Sequence, residues 1–142
     1  MKVTHIRRMS EESLSTIFVP YFLEPVYAGF PSPASDYIES PIDLNKHLIK
    51  NWAATFLVRA RGHSMIGSGI LDQSVLIVDR SIKPVHNSIV IASIDGEFVC
   101  KRLKLKPEIC LMPDNPDYPP ISINHNQDLE IIGTVTAAIN KF

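Results

Sequence analysis

Beyond residue 52, the sequence is a succession of short segments rich in β-branched and aromatic residues and separated by turn-forming residues. Such segments are typical of β-strands, and we predict strands at residues 55–60, 75–78, 89–94, 97–105, 109–112 and 129–139. Asp95-Gly96 lies between two of these segments and is a strong signal for a two-residue hairpin. The pattern therefore predicts a mostly β fold of short, mainly antiparallel strands.

The first 40 residues contain four prolines. Proline fixes φ and removes a backbone donor, which discourages both helices and central strands. The prolines here are Pro20, Pro25, Pro31 and Pro33. We therefore predict an extended N-terminal arm over residues 1–40 and one compact domain over residues 41–142, since a chain of 142 residues has the usual size of a single domain.

One short helix is predicted where the arm meets the domain. Ser40-Pro41-Ile42-Asp43 offers an N-cap serine, a proline at the first helical position and an acidic residue three positions after the cap. A helix should begin there and end near Lys50.

Charge and composition exclude several classes of function. The formal net charge is -1 and the pI is about 6.5, so the chain lacks the basic surface that nonspecific nucleic-acid binding requires, and we expect no direct DNA binding. The apolar runs are too short for a membrane span. No secretory signal is evident at the N-terminus, so we expect a cytoplasmic protein without a membrane anchor.

No metal or cofactor site is predicted. Cys100 and Cys110 are too few for a disulfide framework and lack the CxxC spacing of a metal site. The histidines are scattered, without an HxxxH or HExxH pair that could share a metal on one helix face; they are His5, His47, His63, His86 and His125.

Lys101 occupies an unusual position for a lysine. Because alternate side chains of a strand share a face, Lys101 falls with the apolar residues Val99, Leu103 and Leu105 in the predicted strand 97–105. One interpretation is a lysine at a sheet margin that extends its ammonium to water. The other is a buried lysine, whose charged form is disfavoured and whose neutral amine can take a proton from a hydroxyl.

The other face of the same strand should hold the residues that are most easily solvated. Arg102 and Lys104 point that way, and so does Cys100. We assign Cys100 no role, because it faces away from Lys101.

Gly62-His63-Ser64-Met65 places a serine just after the predicted strand 55–60. Glycine permits a tight bend, which would present the Ser64 hydroxyl and direct backbone amides at a developing oxyanion. Taken alone, a serine in a glycine-containing loop is more often an ordinary turn residue. We reject His63 as the base for Ser64, since neighbours in sequence rarely direct their side chains at each other.

A third segment, Tyr27-Ala28-Gly29-Phe30-Pro31-Ser32-Pro33, lies in the arm. The small Ala28 and Gly29 would let another backbone approach closely. Composition alone favours a flexible linker here.

Taken together, these segments resemble the peptidase domains of LexA-type repressors and, more closely, the UmuD-like accessory proteins of bacterial translesion DNA polymerases. Residues 28–34 are similar to the family's cleavage segment, residues 62–65 to its nucleophile segment, and residues 96–103 to its lysine strand. Residues 43–45 and 76–79 are similar to UmuD-like proteins as well. Each motif is weak by itself, but their order and spacing make the combination specific.

The resemblance implies a LexA/signal-peptidase-like β fold and a homodimer. It implies a serine-lysine peptidase in which Ser64 is the nucleophile, Lys101 is the general base and the Ser64 amide is an oxyanion donor, with the chain's own Ala28-Gly29 bond as substrate. It also implies cleavage stimulated by a RecA filament in the SOS response. Processed residues 29–142 would then serve as accessory subunit of an error-prone translesion polymerase, paired with its Y-family catalytic subunit.

Two departures from the family pattern bear on these expectations. Ala28 stands where UmuD-like proteins often have cysteine, and because both residues are small, cleavage should survive. Asp72-Gln73-Ser74 replaces a glycine-containing turn, which leaves the conformation of that loop open.

Three alternatives from the sequence stay open. One is a non-cleaving polymerase accessory or inhibitory module of the same fold, although Ser64 and Lys101 are intact. The second is a free-standing peptidase that acts on other proteins. The third is a repressor fragment, although fewer than about 30 residues precede the expected scissile bond, too few for a DNA-reading domain.

Overall fold

In a computed structural model of the chain, the described residues are 2–8, 18–22, 39–124 and 126–142. The expected scissile bond, Ala28-Gly29, lies outside them. The described residues form one α-helix, α1 (Leu44–Leu48), and two short 3-10 turns, Trp52–Ala54 and Ile66–Ser68. They also form ten strands: β1 (Lys2–Arg8), β2 (Phe18–Phe22), β3 (Glu39–Asp43), β4 (Thr55–Arg61), β5 (Val75–Asp79), β6 (Ile89–Ile94), β7 (Glu97–Lys104), β8 (Cys110–Met112), β9 (Ile121–Ser122) and β10 (Leu129–Ile139).

Eight of these strands form one sheet in the order β1-β4-β5-β10-β6-β7-β8-β9, and its pairs are antiparallel. Strand β1 also pairs with β7, where Lys2 lies opposite Val99. The ring β1-β4-β5-β10-β6-β7 therefore closes on itself, and we call it the barrel. Strands β2 and β3 form a separate two-stranded sheet. The predicted mostly β, antiparallel fold with one short helix is confirmed.

The long strand β10 joins two sides of the barrel. Its first half pairs with β6 and its second half with β5, and the register shifts between residues 131 and 133 and between residues 135 and 137. Such bulges bend a strand and increase its twist. At Gly133 an added Cβ would lie 2.6 Å from Cγ1 of Val78, so only glycine lets β10 pass this close to β5.

Two apolar clusters cover the opposite faces of β6 and β7. The first contains Phe56, Val58, Ala60, Met65, Ile70, Leu76, Val78, Ile91 and Cys100. The second contains Val90, Ala92, Leu103 and Leu111. Because neighbouring residues of a strand alternate between faces, Ile91 belongs to the first cluster and Val90 to the second. The middle of β7 is therefore buried on both sides.

The predicted strands of the barrel are confirmed, with ends that differ by one residue at most. The hairpin at Asp95-Gly96 joins β6 to β7, and both residues have positive φ, 50° and 85°. Two positive φ values are what a two-residue type I′ hairpin requires. The short strand β9 was not predicted.

The predicted start of the helix is wrong. Residues Ser40, Pro41 and Ile42 belong to strand β3, where Pro41 lies opposite Pro20 of β2. Helix α1 instead begins after Asp43, whose side chain accepts a hydrogen bond from the Asn45 amide at 3.0 Å. Asp43 is thus the N-cap, because a side chain at this position satisfies a free amide of the first turn.

Two strands lie in the described parts of the N-terminal arm, although its prolines were expected to disfavour them. Strand β1, which has no proline, pairs with β4 along residues 2–8 and so belongs to the main sheet. Strand β2 tolerates Pro20 because proline is accepted in the strands at a sheet edge. In the parts of the chain that the structure describes, no helix has the length and apolar character needed to cross a membrane.

Candidate active site

Strand β7 carries Lys101 on the apolar face predicted for it. Lys101 lies opposite Val90 of β6, and both Val90 and Leu103 belong to the second core cluster. The lysine is only 5% exposed, so its side chain does not extend freely into water. The interpretation of a lysine at a sheet margin is therefore wrong, and the buried lysine is confirmed.

The other face of β7 differs in part from the prediction. Arg102 and Lys104 were expected on a readily solvated face, but Cys100 on that same face has no exposed surface and packs in the first core cluster. Burial raises the pKa of its thiol to about 12, so the sulfur stays protonated near neutral pH. Its side chain faces away from Lys101, as alternation along the strand predicts.

Ser64 lies in the turn that follows β4, and Gly62 makes this turn possible. Gly62 has a φ of 97°, in the left-handed region that glycine adopts without strain. Its amide donates a hydrogen bond to Oδ1 of Asp72 at 2.8 Å, and this bond lowers the pKa of the exposed Asp72 carboxyl. Asp72, one of the residues that departs from the family pattern, thus supports the turn two residues before Ser64.

The structure brings Ser64 and Lys101 into direct contact. Nζ of Lys101 donates a hydrogen bond to Oγ of Ser64 at 2.8 Å and another to the backbone carbonyl of Cys100 at 3.2 Å. Ser64 has no exposed surface. An amine and a hydroxyl at this distance are within range for direct proton transfer, and a hydroxyl that gives up its proton becomes a nucleophile. The geometry is therefore suited to nucleophilic acyl transfer.

The loop that follows β8 begins at residue 113 and holds residues 62–69, which carry Ser64 and are called the Ser64 loop. The amide of Gly67 donates to the carbonyl of Asp114 at 2.8 Å, and Nδ2 of Asn115 donates to the carbonyl of His63 at 2.8 Å. An added Cβ on Gly67 would lie only 2.5 Å from the same Asp114 oxygen. His63 thus supports the loop through its backbone carbonyl, and Gly67 is needed where two backbones meet.

An ion pair joins the loop that follows β8 to strand β7. Nε of Arg102 donates to both carboxylate oxygens of Asp114 at 3.1 and 3.0 Å, and Nη2 donates to Oδ2 at 2.7 Å. Nη2 also donates to Oγ of Ser68 at 3.1 Å, and the Ser68 hydroxyl donates to Asp114. Partial burial raises the pKa of Asp114, but the hydrogen bonds from Arg102 and Ser68 outweigh this effect and hold the pKa below its ordinary value.

This ion pair was not predicted from the sequence. Arg102 was grouped with solvated residues, and Asp114 falls in the loop after the predicted strand 109–112. The two residues meet because β7 and β8 pair with Arg102 opposite Met112, two positions before Asp114. An acidic residue just beyond the end of a paired strand is the signal that would have indicated the contact.

The expected scissile bond cannot be located in the same way, because Ala28 and Gly29 lie outside the described residues. Across residues 2–8, 18–22, 39–124 and 126–142, no three His, Cys, Asp or Glu side chains come close enough to hold a metal ion.

The fold and the Ser64–Lys101 contact direct attention to peptidases, and comparison with known proteins identifies the family. The family model described as Peptidase S24-like matches residues 20–136, a span that includes Ser64 and Lys101. The chain belongs to this family.

Individual relatives agree with this assignment. Protein SamA of Salmonella typhimurium strain LT2 is 50% identical over 122 residues, which cover 86% of this chain and 85% of SamA. Protein MucA of Escherichia coli is 43% identical over 85% of this chain and 84% of MucA. LexA repressor 1 of Geobacter sulfurreducens is 34% identical over 78% of this chain and 55% of that repressor. The resemblance to UmuD-like members of the family is confirmed.

Proposed function

We propose that this chain is a self-cleaving serine peptidase that cuts its own Ala28-Gly29 bond when stimulated by a RecA filament. In this proposal the processed residues 29–142 act as accessory subunit of an error-prone translesion polymerase in the SOS response. The observation that carries the peptidase step is the buried hydrogen bond of 2.8 Å between Lys101 and Ser64.

The chemistry follows from that contact. A neutral Lys101 amine takes the proton from Oγ of Ser64 while the oxygen attacks the carbonyl carbon of Ala28. The resulting oxyanion is stabilised by backbone amides, with that of Ser64 as one donor. The ammonium of Lys101 then protonates the departing amine of Gly29, which leaves an ester between Ser64 and Ala28. Water, deprotonated by the neutral Lys101, hydrolyses this ester and restores the serine.

Burial of Lys101 supports this role. At 5% exposure the side chain is largely removed from water, so little water competes with Ser64 for the amine. The base is also held close to Ser64 before any substrate arrives, so little rearrangement is required for proton transfer.

The substrate segment belongs to the same chain, which also favours the reaction. Phe22 at the end of β2 lies opposite Glu39 at the start of β3, so both ends of the segment that contains Ala28-Gly29 are fixed to paired strands. Well-oriented intramolecular reactions reach effective molarities of about 10⁵ M or more. Orientation of the segment is then the step that a filament controls, by binding the cleavable conformation more tightly than the idle one.

Similarity to SamA, MucA and LexA repressor 1 supports the cellular part of the proposal. These three proteins are 34 to 50% identical to this chain over 78 to 86% of its length. We infer from the same likeness a cytoplasmic homodimer that contacts a RecA nucleoprotein filament and the catalytic subunit of a Y-family polymerase.

Intact-mass analysis tests the proposal most directly. The full chain and its Ser64→Ala variant are incubated at neutral pH, at alkaline pH and with a RecA filament on single-stranded DNA. We expect products 1–28 and 29–142 from the unaltered chain, faster at alkaline pH and with filament, and none from the variant. Cleavage that persists in Ser64→Ala would exclude Ser64 as nucleophile, whereas an uncut chain under every condition would favour a non-cleaving polymerase accessory module.

A further inference from the structure

Next to the Ser64–Lys101 contact lies a polar network that the reaction itself does not use. We propose that Arg102 and Asp114 are positioning residues, which fix the loop carrying Ser64 against the strand carrying Lys101. This inference rests on the proposed self-cleavage. It assigns the two residues no contact with substrate.

Arg102 anchors the network to β7. Its guanidinium makes three hydrogen bonds to the Asp114 carboxylate, and on the other side Nη1 donates to the carbonyl of Asn87 at 2.6 Å. The side chains of Arg102 and Asp114 are 28% and 20% exposed, so most of the pair is shielded from water. A planar guanidinium held at both ends has little freedom to rotate.

Asp114 continues the network into the Ser64 loop through three different groups. Its carbonyl accepts from the Gly67 amide at 2.8 Å, its carboxylate accepts from the Ser68 hydroxyl, and its amide donates to Sδ of Met65 at 3.4 Å. Met65 is the residue after Ser64 and has no exposed surface. Asp114 therefore contacts the loop at Met65, Gly67 and Ser68, which are one, three and four residues after Ser64.

The arrangement ties both reacting side chains to one rigid frame. Lys101 and Arg102 are neighbours on β7, so the strand that directs the amine at Ser64 also carries the guanidinium that holds the Ser64 loop. If the ion pair is lost, the loop keeps its backbone contacts to Asp114 but loses the side-chain hydrogen bonds that join Asp114 and Ser68 to Arg102 on β7. Because displacement by about 1 Å can slow a reaction about 100-fold, we expect a clear effect on cleavage.

A rival explanation is electrostatic. The positive charge of Arg102 stands beside Lys101 in sequence, and a nearby like charge disfavours the ammonium. In that case removal of the charge would move the pH at which cleavage is half-maximal. Positioning predicts instead that the maximal rate at alkaline pH falls while this pH midpoint stays the same.

The test compares self-cleavage by full-length chains with Arg102→Gln, Asp114→Asn, both changes together, and Lys104→Gln. Lys104→Gln is the matched control, since it removes the same charge from β7 and a side-chain contact to Asn87 but no contact to Asp114 or Ser68. First-order cleavage rates are measured by intact mass across a pH series. Thermal unfolding of each variant shows that it is folded at the assay temperature.

We expect Arg102→Gln and Asp114→Asn each to lower the maximal rate by about 10- to 100-fold, with an unchanged pH midpoint, and the double variant to be no slower than either single one, because both disrupt the same network. Arg102→Lys, which keeps the charge but not the planar fork, should be only partly active. The proposal is overturned if folded Arg102→Gln cleaves like Lys104→Gln, or if only its pH midpoint moves. Activity in Ser64→Ala would contradict the proposed function instead, so the two failures are distinguishable.

Discussion

The Ser64 loop and the β2–β3 sheet are held in opposite ways. Around Ser64, a buried methionine, backbone hydrogen bonds and an ion pair fix the loop, and Ser64 has no exposed surface. In β2, Phe18 and Tyr21 are 63% and 48% exposed, and the strand is paired with β3. The groups suited to chemistry are therefore built into the packed barrel, whereas the strands that flank the expected scissile bond gain little from burial. Segments with few buried apolar contacts open most easily, so in the proposed reaction we expect cleavage to be controlled through β2 and β3 and not through the Ser64 loop.

The largest effect should come from the buried lysine. Lys101→Met removes the amine but keeps an apolar side chain of similar length, so self-cleavage should slow by at least about 100-fold, the lower range for loss of a general base. The free energy of unfolding should change little, because methionine avoids the cost of burying a polar amine, which offsets the lost hydrogen bond to Ser64. Intact mass and urea unfolding measure the two quantities.

Lys104→Met serves as its control, since Lys104 lies on the same strand without contact to Ser64. A Lys101→Met chain that still cleaves at the unaltered rate would show that another group accepts the serine proton.

Gly67 tests how firmly the Ser64 loop is held. An alanine there would place Cβ 2.5 Å from the Asp114 carbonyl oxygen, so one backbone must move, and Gly67→Ala should lower the free energy of unfolding by about 1 to 3 kcal/mol. Cleavage should slow as well, because the displaced segment includes Ser64. Urea unfolding followed by a cleavage assay provides both numbers.

Gly69→Ala is the comparison for this variant. Gly69 has a φ of 79° and no atom within 4 Å of an added Cβ, so only backbone strain of about 1 kcal/mol is expected. If both variants lose the same free energy of unfolding, the Asp114 loop moves easily, and the Ser64 loop is held no more firmly than β2 and β3.

The ion pair between Arg102 and Asp114 should make the free energy of unfolding depend on pH. The pKa of Asp114 is lowered in the folded chain, so its contribution is present above the unfolded value of about 3.9 and is lost as pH falls through the folded value. Between about pH 5 and about pH 2, the unaltered chain should therefore lose on the order of 1 kcal/mol more unfolding free energy than Asp114→Asn.

Urea unfolding at a series of pH values measures this difference. Asp117→Asn is the control, because it removes an exposed carboxylate from the same loop without changing the ion pair. Parallel behaviour of Asp114→Asn and the unaltered chain would contradict the assignment of this acid dependence to Asp114.

The smallest effect is expected in the arm. The ring of Tyr21 lies 6.4 Å from that of His47, centre to centre, and half of the tyrosine is exposed. Tyr21→Ala should therefore change the free energy of unfolding by no more than about 0.5 kcal/mol, as is usual for surface positions. A loss comparable to that of Gly67→Ala, measured by the same urea titration, would show that β2 is packed as firmly as the Ser64 loop.

The parts of the fold that were predicted depend on local patterns. Alternation placed Lys101 on a buried face, and Asp95-Gly96 marked its hairpin, because both signals lie within a few residues of each other. The start of α1 was assigned incorrectly because Ser40-Pro41 satisfies the rules for a helix start as well as Asp43 does. Pairing of residues 39–43 with β2 decides between them, and that pairing is not encoded locally.

The parts of the site that were not predicted depend on contacts between distant segments. Ser64 was identified mainly through the family resemblance, since its own tetrapeptide is weak. Strand β1 has no clear alternation, and only its pairing with β4 defines it. Arg102 appeared to be an ordinary surface cation until β8 brought Asp114 beside it.

Because β1 closes the barrel, cleavage of the chain after Ala28 would not by itself release the N-terminal residues. Strand β1 precedes Ala28 in the chain, yet it is hydrogen-bonded along β4 and reaches Val99 on β7, two residues from Lys101. If the chain is cut after Ala28, the pairing of β1 with β4 and β7 still holds residues 2–8 in place. The cleaved protein would keep its barrel closed until β1 dissociates. The rate of that dissociation would then determine when the edges of β4 and β7 become available to another molecule.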